Sequence, residues 1–162
     1  MPRFTTFLIA SIAVCGAEVG AQSAPATLSA SIPPLARLSF STNSISFPDA
    51  DPDQFPQVPA TQGPIAITAK ARTAQGSVVT LTVQASDDLR SGVTVLPASL
   101  VTWTGAGPGF SGGTLSRAAP QVVATWTGSG VRSGTQSYQF ENRWTHPAGI
   151  YTITLVYTLS VP

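Results

Sequence analysis

The sequence predicts an all-β protein, an antiparallel β-sandwich of about seven strands. Three observations predict this fold class. Apolar and polar residues alternate along several short segments, no long segment has helical periodicity, and glycine and proline, 14 of each, divide the chain about every ten residues. Only 9% of residues are charged, against about 25% in ordinary soluble domains. Serine and threonine replace the charged residues, and threonine suits a pleated strand surface.

The N-terminus is typical of a secretory signal peptide, residues 1–21. Arg3 precedes an apolar run over 7–17 that is too short to span a bilayer, and Val19-Gly20-Ala21 is a small-residue cleavage pattern. Cleavage there leaves residues 22–162 as one secreted β-sandwich domain, extracellular or at the cell surface, with no transmembrane segment.

Cys15 offers an alternative, a lipoprotein in which this cysteine becomes the lipidated first residue. The residue before it, Val14, is branched, whereas such a site requires a small residue. On either cleavage the chain has no second cysteine, so disulfides and cysteine-ligated metals are excluded. The net charge of +1 gives no electrostatic footprint for nucleic acid or an anionic membrane.

The first predicted element is an extended N-terminal segment, residues 22–34. Within it Leu28, Ala30 and Ile32 alternate with polar residues, and Pro33-Pro34 ends the run. Three interpretations stay open: the first strand of the domain, a disordered leader, or a strand that adds to a neighbour's sheet edge and so builds a fibre. The alternation then resumes as a predicted strand over 35–41.

The middle of the chain predicts a hairpin. Residues 44–47 are a short strand or bend, and the proline-rich stretch 48–64 is a long loop. Residues 64–72 and 78–85 each alternate, and TAQGS between them predicts a turn that pairs them as a hairpin. The predicted inward residues are Ile65, Ile67, Ala69, Ala71, Val79, Leu81, Val83 and Ala85.

The remaining strands follow a glycine-punctuated pattern. They are predicted at 93–96, 99–104, 121–127, 138–144 and 149–161. The glycine-rich stretch 105–114 is a loop and not a phosphate cradle, because it lacks the G-K-[ST] of such loops. In the last strand six apolar residues from Tyr151 to Val161 fall on one face. A strand with so long an apolar face is expected to cross the centre of a sheet.

The C-terminal stretch PAGIYTITLVYTLSVP (147–162) resembles the closing strand of WxL domains, which are bacterial cell-surface β-sandwich domains. Tyr157-Thr158-Leu159 occupies the position of the family's Trp-x-Leu, and residues 35–161 follow a similar order. No tryptophan precedes Leu81, near which the family's first motif should fall. The same stretch is similar to secreted pilins of the spore-coat-U type. The resemblances imply a non-catalytic, immunoglobulin-like surface domain, and the first implies attachment to peptidoglycan.

Two tryptophans are the first candidate site. Trp103 and Trp126 each stand in Trp-Thr-Gly-small-Gly. Each shares its strand face with small apolar residues, which favours two core side chains at similar strand ends. The alternative is an aromatic platform that binds a sugar ring, for example of a cell-wall polysaccharide. Trp144 shares a face with Tyr138 and Phe140 and is predicted to lie in the core.

A second candidate is a calcium site at Asp49, Asp51 and Asp53. An EF-hand is excluded, because Gln54 stands at its sixth position and Ala60 at its twelfth. The alternatives are a looser oxygen-ligand site and a solvated loop.

No residue set predicts catalysis. His146 is the single histidine, Asp87-Asp88 with Arg90 are typical of a polar turn, and Glu141 and Arg143 form a predicted surface pair. The sequence therefore predicts a non-catalytic secreted structural or adhesive protein without a cofactor. Its expected partners are cell-wall polysaccharide, other surface proteins or itself. The alternatives are a carbohydrate-binding module using Trp103 and Trp126, and a pilin-like subunit that assembles by strand exchange.

Overall fold

A computed structural model of the chain describes residues 27–162. The predicted signal peptide and Cys15 lie outside the described residues. Within that part the chain forms eleven strands and one turn of 3₁₀ helix. They are β1 (Leu35–Phe40), β2 (Gln57–Pro59), β3 (Ile65–Arg72), β4 (Val78–Ala85), β5 (Leu89–Ser91), β6 (Thr94–Leu96), the 3₁₀ turn (Ala98–Leu100), β7 (Val101–Ala106), β8 (Gly113–Thr114), β9 (Gln121–Thr127), β10 (Gly130–Glu141) and β11 (Leu155–Ser160).

Two antiparallel sheets pack around one apolar core, and the predicted all-β sandwich is confirmed. The larger sheet has the strand order β1-β3-β10-β7-β8, with β2 pairing to the end of β10. The smaller sheet has the order β11-β4-β9, and β5 and β6 form a separate hairpin. Seven of the strands in residues 27–162 have six or more residues.

The predicted inward faces of β3 and β4 are confirmed, but their pairing is not. All eight predicted inward residues are buried. β3 pairs with β1 and β10, whereas β4 pairs with β11 and β9. The link 73–77 therefore crosses between the sheets, because the two apolar faces bury each other across the core. Its backbone is tied to the turn after β9, where Ser129 Oγ accepts from Thr73 N at 2.9 Å and Ser77 O accepts from Gly128 N at 2.8 Å.

The structure differs from the predicted elements at three places, the first of which is a segment for which a strand of the domain was one of three open interpretations. Residues 27–34 form no strand, and β10 begins at Gly130, well before the predicted 138. The early part of β10 carries Gly and Ser without an apolar pattern and is held by pairing with β3, whereas β7 pairs with β10 only from Thr135 onward. β11 lies at an edge of the smaller sheet and not at its centre.

The glycine-rich loop closes one side of the sandwich. Ser111 N donates to Val123 O at 2.9 Å and Thr125 N donates to Gly109 O at 3.1 Å, so the loop occupies the outer edge of β9. The loop leads directly into β8, which pairs with β7 in the larger sheet. One chain segment thus joins the two sheets along this side.

Gly105 is needed for this closure. A Cβ on Gly105 would lie 2.5 Å from the carbonyl oxygen of Ser111 and 2.6 Å from its carbonyl carbon, both backbone atoms. Gly105→Ala is therefore expected to lower the free energy of unfolding by about 1–3 kcal/mol, the usual cost of overpacking. Chemical denaturation measures this change in the free energy of unfolding. Thr104→Ala, one residue away and exposed, is the control and should change stability by less than about 0.5 kcal/mol; equal effects would show that the loop yields.

Within residues 27–162 no helix is long and apolar enough to cross a membrane.

Candidate functional site

The paired tryptophans are core side chains. Trp103 is 3% exposed and Trp126 is 8% exposed, and the two stand in different sheets, on β7 and β9. The Trp103 indole N–H donates to Ser111 O at 2.9 Å, and its ring lies 6.2 Å from that of Tyr138. A sugar platform requires an exposed ring face, and neither indole presents one. Both side chains thus lie in the core, as the sequence pattern favours, and the alternative of an aromatic platform formed by Trp103 and Trp126 is not met.

Trp144 is the exposed tryptophan, although a core position was expected for it. Its side chain is 71% exposed, and its indole N–H donates to Asp53 Oδ1 at 3.1 Å. The expectation fails because β10 ends at Glu141. The alternation of inward and outward side chains ends with the strand, so it does not determine the direction of Trp144.

The acidic loop does not gather its carboxylates into a metal site. Asp51 Oδ1 accepts from Asp53 N at 2.9 Å, and its other oxygen accepts from Gln54 Nε2 at 3.4 Å. Asp53 is turned toward Trp144. Among residues 27–162 there is no group of three His, Cys, Asp or Glu side chains placed to hold a metal ion. Asp51 and Asp53 thus form hydrogen bonds to protein groups, and Asp49, Asp51 and Asp53 do not form the calcium site that was one alternative.

The remaining charged candidates form ion pairs. Arg90 Nε lies 2.6 Å from Asp87 Oδ2, and Arg117 lies 3.5 Å from both Asp87 and Asp88. The hydrogen bond from Arg90 lowers the pKa of Asp87 to about 2. Glu141 and Arg143 are paired. These carboxylates hold turns together, as the sequence predicts for Asp87-Asp88.

The strongest functional feature is an incomplete core along β11. This strand pairs with β4 in register, so that Leu155, Tyr157 and Leu159 lie opposite Ala85, Val83 and Leu81.

The three β4 residues are buried completely or nearly so, whereas the three β11 residues on the same face are only half-buried. Tyr151, Ile153 and Val161 continue the half-buried apolar row. Among residues 27–162 no strand pairs with the outer edge of β11.

The margin of the larger sheet on this side is β1, which is also an edge strand. Its residue Leu38 is half-buried, and Phe40 packs its ring 4.7 Å from that of Tyr157. One side of the sandwich is therefore closed by the glycine-rich loop, and the opposite side ends in two edge strands with partly exposed apolar residues. We call this second side the open side, formed by β1 and β11.

The extended segment before β1 has its own unburied apolar residues. Residues 27–34 form no strand and are exposed, with Leu28 97% and Ile32 68% exposed. Pro33 O accepts from Arg72 Nε at 2.8 Å.

A buried polar cluster lies beneath the open side. The Tyr157 and Tyr138 hydroxyls donate to Gln136 Oε1 at 2.6 and 3.2 Å and contact each other. Gln136 is fully buried, and its Nε2 has no hydrogen-bond partner among the described residues. The only signal of this cluster in the sequence is that Gln136 shares the period-two face of Tyr138.

The cluster predicts alkaline instability. Burial raises the pKa of Tyr157 from 10.0 to about 12 and raises that of Tyr138 as well. With a raised folded-state pKa, the stabilising contribution to the free energy of unfolding is fully present below pH 10. It is lost between about pH 10 and 12, because the tyrosine of the unfolded chain ionises first. Denaturant midpoints measured across this range should fall less steeply for Tyr157→Phe than for the unchanged protein. Parallel slopes would contradict the assignment.

Comparison with protein-family models, with curated proteins and with solved structures finds no match for this chain.

Proposed function

We propose that the protein is a non-catalytic secreted structural protein that assembles with further copies of itself by strand exchange at the open side. The observation that carries the proposal is the contrast between β4 and β11. Residues in register on the same face are fully buried on β4 and half-buried on β11. One more strand beside β11 would cover this apolar row and would bond its outer backbone groups, which is the chemistry of β-strand addition.

The proposed occupant is the segment 27–32 of a second copy. This segment is as long as β11, six residues, and its Leu28, Ala30 and Ile32 repeat at the period of a strand. It carries no charge, so its insertion against an apolar row desolvates no ionised side chain. Its apolar residues are exposed in the single chain, and exchange would bury them.

The connection to β1 favours a second copy over the same chain. Pairing of 27–32 with its own β1 would require Pro33-Pro34 to form a two-residue hairpin turn. The favoured turns of that length need a positive φ at their first central residue, and proline fixes φ near about −65°. A tight return of the segment onto its own β1 is therefore disfavoured, which leaves the segment available to another molecule.

Such an exchange uses two different surfaces of each molecule, a donor segment and an acceptor edge. A head-to-tail contact of this kind continues from copy to copy and gives a fibre unless the geometry closes a ring. The resemblance to secreted pilins supports the same assembly, and the resemblance to WxL domains supports a location at the cell surface.

The paired carboxylates at Asp87, Asp88 and Glu141 support a role without catalysis. Each lies against an arginine, whereas acid–base chemistry needs a carboxyl held near a substrate with a matched pKa. The predicted signal peptide supports secretion, and envelope attachment through a cell-wall polysaccharide remains a prediction.

Residues 22–162, purified as a soluble protein, test the assembly. Light scattering coupled to size exclusion should show species that grow with protein concentration, and electron microscopy should show linear polymers. A protein that stays monomeric at every concentration up to the millimolar range would overturn the proposal.

A further inference from the structure

Trp144 stands at the end of the sandwich where β2 and β10 meet. The chain after β10 and the loop before β2 are joined there: Asn142 Nδ2 donates to Ala50 O at 2.9 Å, and Asn142 N donates to Pro56 O at 3.0 Å. Trp144 follows two residues later with 71% of its side chain exposed. An indole left in water on a soluble domain is unusual, because tryptophan is highly buried on average.

The Trp144 ring is held in place rather than free. Its N–H donates to Asp53 Oδ1 at 3.1 Å, and the backbone of Asp53 is fixed in turn by Asp51, whose carboxylate accepts from Asp53 N at 2.9 Å. The hydrogen bond fixes one edge of the indole while most of the side chain stays exposed to solvent. A ring fixed in this way loses little conformational entropy when a ligand stacks on it.

The hydrogen-bond partner of the ring and its neighbours along the chain are polar. Its neighbours in sequence are Arg143 and Thr145, and among residues 27–162 no hydrogen bond reaches the second carboxylate oxygen of Asp53, Oδ2. An exposed aromatic ring beside a carboxylate oxygen with no hydrogen bond fits a sugar ring, which offers an apolar C–H face and a rim of hydroxyls. An aromatic anchor for a protein partner would instead sit inside a packed, desolvated patch.

We propose that Trp144 and Asp53 form a saccharide-binding site, in which a β-linked hexopyranose of an extracellular polysaccharide stacks on the Trp144 indole. Asp53 Oδ2 accepts a hydrogen bond from a hydroxyl of the same sugar, while Oδ1 keeps the indole in position. The site is independent of the open side and would give an assembled fibre an adhesive surface on every copy.

Tryptophan fluorescence reads this site directly, because Trp103 and Trp126 are buried and only Trp144 is accessible to a quencher. Residues 22–162 are titrated with β-1,4-linked hexasaccharides of glucose and of N-acetylglucosamine. At saturation we expect a shift of emission to shorter wavelength and protection from acrylamide. Calorimetry should show loss of binding in Trp144→Ala and about a fivefold weakening in Asp53→Ala, the effect of one hydrogen bond.

Val93→Ala, at a fully exposed apolar residue outside β11 and away from Asp53 and Trp144 in sequence, is the control and should bind as the unchanged protein does. Absence of binding by both saccharides in a folded protein would overturn the proposal. It would also be overturned if Trp144 is protected by self-association alone and not by sugar, since the ring would then belong to a contact between copies. Saccharide binding can be measured independently of fibre formation, because the same titrations can be made on a variant of the segment 27–32 that does not assemble.

Discussion

Charged residues at Leu28 and Ile32 are expected to abolish assembly. In Leu28→Asp/Ile32→Asp, two carboxylates would face the apolar row of β11, and an unpaired buried charge costs several kcal/mol after relaxation. A loss of that size, at about 1.4 kcal/mol per factor of ten, reduces the association constant by several orders of magnitude. Sedimentation velocity should show a monomer at concentrations where the unchanged protein forms polymers.

The same segment supplies its own control. Thr27 and Ser31 alternate with Leu28 and Ile32, so in a strand they point to the opposite face. Thr27→Asp/Ser31→Asp adds the same charge at nearly the same positions and should leave assembly in place at moderate salt. If both double variants lose assembly equally, general charge repulsion is responsible and the inward face of the segment plays no part.

Loss of the Trp103 side chain is expected to be the largest single destabilisation in the domain. Trp103→Ala empties a buried indole site, which typically costs about 3–5 kcal/mol. It also removes the hydrogen bond to Ser111 O, so the glycine-rich loop loses an anchor. The free energy of unfolding from guanidinium denaturation measures the loss, and exchange of the Ser111 and Thr125 amides reports whether the loop leaves the β9 edge.

Two variants separate the contributions at this position. Trp103→Phe keeps an aromatic ring and removes the N–H donor, so it should cost less than Trp103→Ala while still speeding amide exchange in the loop. Trp144→Ala removes the exposed tryptophan and should change stability by about 0.5 kcal/mol or less. Equal losses for Trp103→Ala and Trp144→Ala would contradict the burial of Trp103.

The faces of the long strands were predictable because burial follows a period of two. Ile67 and Leu81 could be placed in the core from alternation alone, and both are fully buried. The partners of these two strands were not predictable in this way, and the predicted pairing of β3 with β4 is wrong. A short connection between two alternating strands fits a hairpin and a crossing between sheets equally well, and the choice depends on partners distant in sequence.

The edge position of β11 in the smaller sheet was not predicted for a similar reason. The apolar face of β11 indicates only that this face contacts a core, and it carries no information on whether one or two strands flank it. The polar row on the other face, with Thr158 exposed, is compatible with either position. Strand order comes from long-range contacts, which alternation does not encode.

Whether the burial of each tryptophan was predicted correctly depends on where its strand ends. Trp103 and Trp126 lie within β7 and β9 and follow the alternation inward. Trp144 lies three residues beyond the end of β10, so counting its face from Tyr138 extends the pattern past the strand. Strand ends are the least certain feature of any sequence pattern. The hydrogen bond between Trp144 and Asp53 joins loops 91 residues apart and has no local signal.

The most direct test of strand exchange joins the donor segment of one molecule to the acceptor edge of another. Residues 22–162 contain no cysteine, so single thiols can be introduced as Ser29→Cys in one preparation and Thr158→Cys in a second. Both positions lie on the polar face of their segments, and neighbouring strands place such residues within about 8 Å. The two preparations are mixed, allowed to assemble and treated with a short bis-maleimide.

Strand exchange predicts that the main cross-linked product contains one chain of each kind and that Leu28→Asp/Ile32→Asp in the Ser29→Cys chain removes it. Polymers that form without this mixed product would contradict the account, since the segment 27–32 would then not lie beside β11 of a neighbouring molecule.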